Sequence, residues 1–204
     1  MLYLEWKSNS NDEGAEQMSE LSTTTLTPPV GKRDHVQGPS TAAVTLVEYG
    51  DYQCPFCGDT YPIVKRLQKH FGDQLRVAFR NFPLSRIHAY AQRAAEAAEA
   101  AGAQGKFWEM HDWLYENQDK WSDKDNALEL FTAEAQTLGL DTAKFKDDIV
   151  INKFLDQMNG ERNDGIAAGV DSTPTFFLNN KIHVGVFAYN DLKAAIDNEL
   201  KTAK

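Results

Sequence analysis

The chain has little cysteine, a shortage of positive charge and no long apolar run, and each lack narrows what it can be. Its 204 residues include two cysteines, Cys54 and Cys57. A disulfide-stapled extracellular scaffold is therefore excluded, and every thiol sits in one Cys-Pro-Phe-Cys quartet. A tetrahedral zinc site takes about four Cys or His ligands. The five histidines (His35, His70, His88, His111, His183) are scattered with no ligand-like spacing, so no metal is expected. Against 30 acidic residues stand 21 basic ones, for a net charge of −9. That balance removes the counterion release behind nucleic-acid binding and disfavours anionic lipid. No stretch of about 18 apolar residues exists to span a bilayer, because Gln92, Arg93, Glu96 and Glu99 interrupt the Ala-rich stretch Ala91 to Ala101. A glycine-rich phosphate loop is also missing.

What is present suits one domain with a buried core: 42% hydrophobic, 25% charged and 11% aromatic residues over this length. Residues 1–38 read as a disordered leader or linker, since Ser, Thr, Asn, Glu, Gly and Pro dominate from Ser8 to Pro29. The apolar start Met1 to Trp6 is too short for a signal peptide, so the chain as written reads as cytoplasmic, or as extracytoplasmic if an upstream signal or anchor was removed. Residues 39–204 read as the folded domain. Val44 to Gly50 is a β-branched run, Cys54 to Phe71 carries helical spacing at Ile63, Val64, Leu67 and Phe71, and Leu75, Val77 and Phe79 alternate as a second strand. This βαβ unit implies parallel strands. From about 88 to 169 the pattern is helical, with stops near Gly102 to Gly105 and at Gly139 and a cap at Asp141. Thr175 to Leu178, a turn at Asn179-Asn180, Lys181 to Val184 and a helix capped by Asn190 complete a ββα ending.

The quartet sits where strand becomes helix. Cys54 falls at the N-cap, where its sulfur can accept the free amides of Phe56 and Cys57, and both those bonds and the positive helix end favour thiolate. Pro55 occupies the first helical position, where its missing N–H is no loss. Cys57 lies one helical turn on, close enough to pair with Cys54. The reading is an exposed attacking Cys54 and a shielded resolving Cys57. Glu48, on the same strand face as Val44 and Leu46, is expected to be a buried or half-buried carboxylate near Cys57, able to exchange a proton with it.

Taken together, Cys54-Pro55-Phe56-Cys57, Glu48 six residues before it, Pro62 inside the helix, the helical insertion and Ser172-Thr173-Pro174-Thr175 entering a strand resemble the thioredoxin fold of the bacterial DsbA-like thiol:disulfide oxidoreductases. The likeness covers roughly Val44 to Leu200. It implies an α/β thioredoxin fold (βαβ then ββα) with an all-helical insertion, a cis Thr173-Pro174 peptide facing the disulfide, and substrate contacts at Pro55, Phe56, Thr173, Pro174 and Tyr52. It implies no cofactor. The partners would be protein or peptide thiols and disulfides, together with a redox partner that recycles the pair; related domains also occur fused to membrane proteins such as sodium/proton antiporters. Phe56 departs from the histidine of the strong oxidases, which leaves the redox poise open. Its ring could join Tyr49, Tyr52 and Phe82 in an apolar substrate patch.

Other residues read as structural: His88 and His111 as packing histidines rather than a pair of bases, the alanine stripe as a close helix contact, and Glu96, Glu99, Asp147 and Asp148 as solvated faces. Two rival functions remain on the residues alone. One is a glutathione-dependent transferase or isomerase on the same fold, which needs no Cys pair. The other is a non-catalytic redox-sensing or peptide-binding module.

Overall fold

In the computed structural model, which describes residues 25–184 and 188–202, five strands form one mixed sheet. They are His35–Gln37 (β1), Val44–Gly50 (β2), Leu75–Asn81 (β3), Thr175–Leu178 (β4) and Lys181–Val184 (β5), in the order β1-β3-β2-β4-β5. The helix Pro55–Phe71 (α1) joins β2 to β3, which run parallel with Leu46 opposite Val77. β4 lies antiparallel to β2 on its other side, so β2, which leads into the quartet, is the central strand. Asn179 turns β4 into β5 with φ of 50°, a left-handed value that asparagine tolerates.

Strand alternation divides the sheet's two faces. Val44, Leu46, Leu75, Val77, Phe176 and Leu178 pack on α1 and on Leu192 and Ile196 of the last helix, Tyr189–Thr202 (α8). That helix begins one residue before the expected cap, so Asn190 lies inside its first turn. On the other face, Val47, Tyr49, Ala78 and Phe177 pack on Leu26, Phe82, Ala168 and Val170.

The helices Ala91–Gly102 (α2), Phe107–Glu116 (α3), Gln118–Trp121 (α4), Ala127–Thr137 (α5), Thr142–Val150 (α6) and Leu155–Ala167 (α7) fill the stretch between β3 and β4. The small side chains of α2 bring α3, α5 and α6 against it, and Ala94, Ala97, Ala98, Ala100 and Ala101 are fully buried. Asp141 caps α6, accepting from the Lys144 amide at 3.0 Å. Enclosure of α2 on several sides also corrects the expectation of solvated acids, since Glu96, Glu99 and Asp148 are buried. Glu99 accepts from Asn81 Nδ2 at 2.8 Å and Gln157 Nε2 at 3.0 Å, and Asp148 pairs with Lys144 and Lys153.

The leader boundary is corrected as well. Residues 1–24 lie outside the described residues, but 25–38 belong to the fold: β1 pairs with β3, Leu26 is buried, and Thr25 bridges to Lys181. The physical reason is Arg80 on β3, which is wholly buried and needs a counter-charge. Asp34 supplies it, accepting from Arg80 Nε at 2.6 Å, while the Pro28 carbonyl accepts from Nη2 at 2.9 Å.

Candidate active site

β2 delivers the chain to the quartet through Gly50, where a Cβ would stand 2.4 Å from the Phe79 ring, so no side chain fits. The next turn is tied by Asp51. Its Oδ1 accepts from the Gln53 amide at 2.7 Å, its carbonyl accepts from the Cys54 amide at 3.1 Å, and its Oδ2 accepts from the Leu84 amide at 2.9 Å. His88 Nδ1 is hydrogen-bonded to the same Oδ2 at 2.7 Å. From α4, Gln118 Nε2 donates to the carbonyls of Tyr52 at 2.7 Å and Cys54 at 2.9 Å. Gly58 admits it, because a Cβ there would lie 2.8 Å from Gln118 Oε1. Asp51, His88 and Gln118 thus position the quartet, and sequence reasoning missed all three in this role. Asp51 had a signal, an aspartate two residues before a free amide; Gln118 had none, because its short helix meets the quartet only in three dimensions.

Cys54 is the N-cap of α1, with φ −70° and ψ 122°, and Pro55 opens the helix. Both cysteines are reduced and buried, at 3% and 0% exposure. This corrects the expectation of an exposed Cys54. The loop carrying Thr173 lies against it, and the Cys54 thiol donates to the Thr173 carbonyl at 3.4 Å. What separates the two thiols is therefore electrostatic rather than accessibility. The hydrogen bond from Cys57, against the opposing effect of burial, pulls Cys54 down to about 6, with help from Thr173 and the Cys57 and Phe56 amides. Burial, followed by its bond to Cys54 and the charge of Glu48, pushes Cys57 well above the ordinary thiol range. Brief alkylation of the reduced protein near pH 6.5 should accordingly label Cys54 and spare Cys57, as read by peptide mapping; first labelling of Cys57 would reverse the assignment of the nucleophile.

Glu48 is 4% exposed on β2, and its Oε1 has no hydrogen-bond partner among the described residues. Burial, reinforced by the Cys54 charge, pushes its carboxyl up to about 8. Beside it lies a small cavity lined by Tyr61, Lys65, His111 and Asp112, the last two side chains of which are joined to different partners: Lys65 Nζ donates to Asp112 at 2.7 Å, and His111 Nδ1 is bonded to Tyr52 Oη at 3.0 Å.

Not every expected contact residue gathers at the sulfur. Pro55 and Phe56 are at the surface, with Phe56 53% exposed, whereas Thr173 and Pro174 are buried beside Cys54 and joined by a cis peptide. Tyr52 is a correction: at 1% exposure it is core, wedged between Phe79, His111 and Tyr115. Tyr49 and Phe82 are equally buried, so the expected aromatic patch reduces to Phe56 alone. His88 and His111 have separate partners, and burial holds the His111 imidazole neutral, down to about 3. Among the described residues no group of three His, Cys, Asp or Glu is placed to hold a metal ion.

A dithiol at the N-terminus of the helix after a central parallel strand, faced by the loop entering an antiparallel strand, defines a thioredoxin-fold site, here with a helical insertion of the DsbA type. The thioredoxin family matches residues 31–198, and the chain belongs to that family. The structure of BdbD from Bacillus subtilis superposes with a TM-score of 0.76 at 27% identity, over 85% of this chain and 96% of that one. Alpha-DsbA1 of Wolbachia pipientis superposes at 0.77 with 20% identity, over 89% of this chain and 98% of its own, a likeness of fold. The chain is thus a DsbA-like thioredoxin-fold protein, and its fold is the one that supports thiol–disulfide exchange. Among curated proteins, a Na(+)/H(+) antiporter NhaA 1 of Salinispora arenicola is 41% identical over 164 residues, which is 80% of this chain but 24% of that protein. The chain therefore spans about a quarter of that relative's length, and among its described residues no helix is long and apolar enough to cross a membrane.

Proposed function

We propose that the chain exchanges a Cys54–Cys57 disulfide with the thiols of protein or peptide substrates through a mixed disulfide on Cys54. The observation that carries this is the opposite displacement of the two thiols, Cys54 down to about 6 and Cys57 well up, one helical turn apart. In the oxidising direction a substrate thiolate attacks Cys54 Sγ. The new S–S bond forms as the Cys54–Cys57 bond breaks, and Cys57 leaves with the electron pair and takes a proton from Glu48. A second substrate thiolate then attacks the substrate sulfur of the mixed disulfide and expels Cys54 as thiolate, so two electrons pass to the protein. In the reducing direction Cys54 attacks and Cys57, deprotonated by Glu48, releases the product. Sulfur carries the whole reaction, without a cofactor, and a second dithiol or disulfide protein must reset the pair. The similarity to one part of longer proteins named as antiporters supports attachment of such a domain to a membrane protein.

The test is to mix the oxidised protein with a peptide carrying a single cysteine. Loss of peptide thiol matched by gain of protein thiols is expected; no exchange would overturn the proposal, and activity surviving replacement of both cysteines would favour the glutathione-dependent reading. The same assay against glutathione gives the potential. Phe56→His should raise it, because an imidazolium near the helix start favours the Cys54 thiolate. Since position 56 is half exposed, solvent screens that charge, and the shift should be roughly 10–20 mV. An unchanged potential together with an unchanged Cys54 titration would show that position 56 does not set the poise.

A further inference from the structure

A cleft of about 480 Å³ opens beside the site just described, between the segment after β3 and the start of α7. Leu84, Ile87, Leu155 and Met158 line its apolar part, and Arg86 and Arg162 its charged part. Ser172 and Asp171 form the wall nearest the sulfur, and Ser172 precedes Thr173, whose carbonyl accepts from Cys54 Sγ. Ile87 is 74% exposed at the rim. Arg162 is held with its guanidinium 5.5 Å from the centre of the Phe82 ring. Neither it nor Arg86 forms an ion pair with a described carboxylate, whereas Arg33 and Arg80 do, with Asp164 and Asp34. Asp171, the one acid in the lining, accepts from Ser172 Oγ at 2.9 Å.

Two unpaired guanidinium groups against one carboxylate make this cleft locally positive in a chain of net charge −9. The apolar floor and the charged wall suit a side chain or short segment with both characters. We propose that the cleft is the substrate-specificity site of the exchange reaction, and that it selects protein or peptide segments carrying an acidic residue, next to an apolar one, close to the reacting cysteine. An extended segment advances roughly 3.3 Å per residue, so a segment whose cysteine is joined to Cys54 runs past Thr173 and Ser172 toward the cleft within a few residues. This inference rests on the exchange reaction proposed above and adds the class of substrate to it.

The experiment uses three peptides identical except for one residue two positions from a single cysteine, glutamate, glutamine or lysine, with leucine beside it. Each is mixed by stopped flow with the oxidised chain at low salt. Long-range attraction to an acidic protein favours the lysine peptide, so a faster glutamate peptide can come only from a local positive site. The expected ratio of glutamate to lysine rates is about five, falling toward one in Arg162→Gln and Arg86→Gln, dropping below one in Arg162→Glu, and shrinking as salt rises. Because the readout is a ratio within each protein, general damage by a substitution cancels. A ratio at or below one in the unmutated chain, or one that the arginine substitutions leave in place, overturns the cleft's role while the exchange reaction stands. Failure of all three peptides to react removes both.

Discussion

Cys57→Ser protein is expected to stop after the first exchange and to accumulate a covalent adduct on Cys54. Cys57 is the only other thiol in the chain, so once a substrate is held by Cys54 nothing internal can release it. Well-placed intramolecular groups reach effective molarities of about 10⁵ M, which millimolar external thiol cannot match, and turnover should fall by at least about 1000-fold. The first step should survive, because the serine hydroxyl can still donate to Cys54 as the Cys57 thiol does, and that bond is the leading cause of the lowered Cys54 pKa. Cys57→Ala removes the donor, so its Cys54 should titrate higher and trap substrate more slowly near pH 6. Non-reducing gels and mass measurement after mixing with a peptide disulfide read both effects. Continued turnover without adduct would show that the quartet is not where exchange occurs.

Glu48→Gln should have two separate consequences, one on rate and one on stability. Glutamine keeps the shape but exchanges no proton, so release from the mixed disulfide should slow by about 100-fold, the usual scale of general acid–base assistance, while the first attack changes little. On stability, the folded carboxyl is raised from 4.5 to about 8. A raised carboxyl means that the folded state holds its proton where the unfolded chain has lost it. Its contribution is therefore fully present below pH 4.5 and is lost as pH rises through about 8. Wild type and Glu48→Gln should then differ little near pH 4.5, and the variant should be the more stable by about 5 kcal/mol at pH 9, a melting shift of roughly 10–20 °C. The gap should narrow in the oxidised protein, where the Cys54 thiolate that adds to the shift is gone. Parallel melting curves from pH 4.5 to 9 in both redox states provide the measurement; a gap that is constant with pH would mean that Glu48 is not a buried, proton-holding carboxyl.

Much of this site was legible because its parts are local. The strand, the quartet and the helix start are contiguous from Val44 to Phe71, and Pro55 and the spacing of Cys54 and Cys57 follow from helix geometry alone. Alternation along β2 placed Glu48 with Val44 and Leu46 on the face that α1 covers. The same alternation could not show that Tyr52 is core, because its neighbours Phe79, His111 and Tyr115 come from β3 and α3. Glu96 and Glu99 looked solvated because a charge on an Ala-rich helix usually is; their burial depends on how α3, α5 and α6 surround α2.

From Val44 onward the sequence by itself determined the order of strands and of all helices but the short α4, the dithiol at a helix N-terminus and the acid behind it, since propensity, period and capping act within a few residues. Only the tertiary structure decided which thiol holds its charge and how the quartet is held. Those depend on the bond between the two sulfurs and the burial of Cys57, and on Gln118 and the Asp51–His88 contact. It likewise decided that residues 25–38 belong to the domain, through the partner that buried Arg80 requires in Asp34. Hydrogen bonds and charges act through space over a few ångströms, and groups separated by 64 or 119 positions in the chain meet there only after the fold has formed.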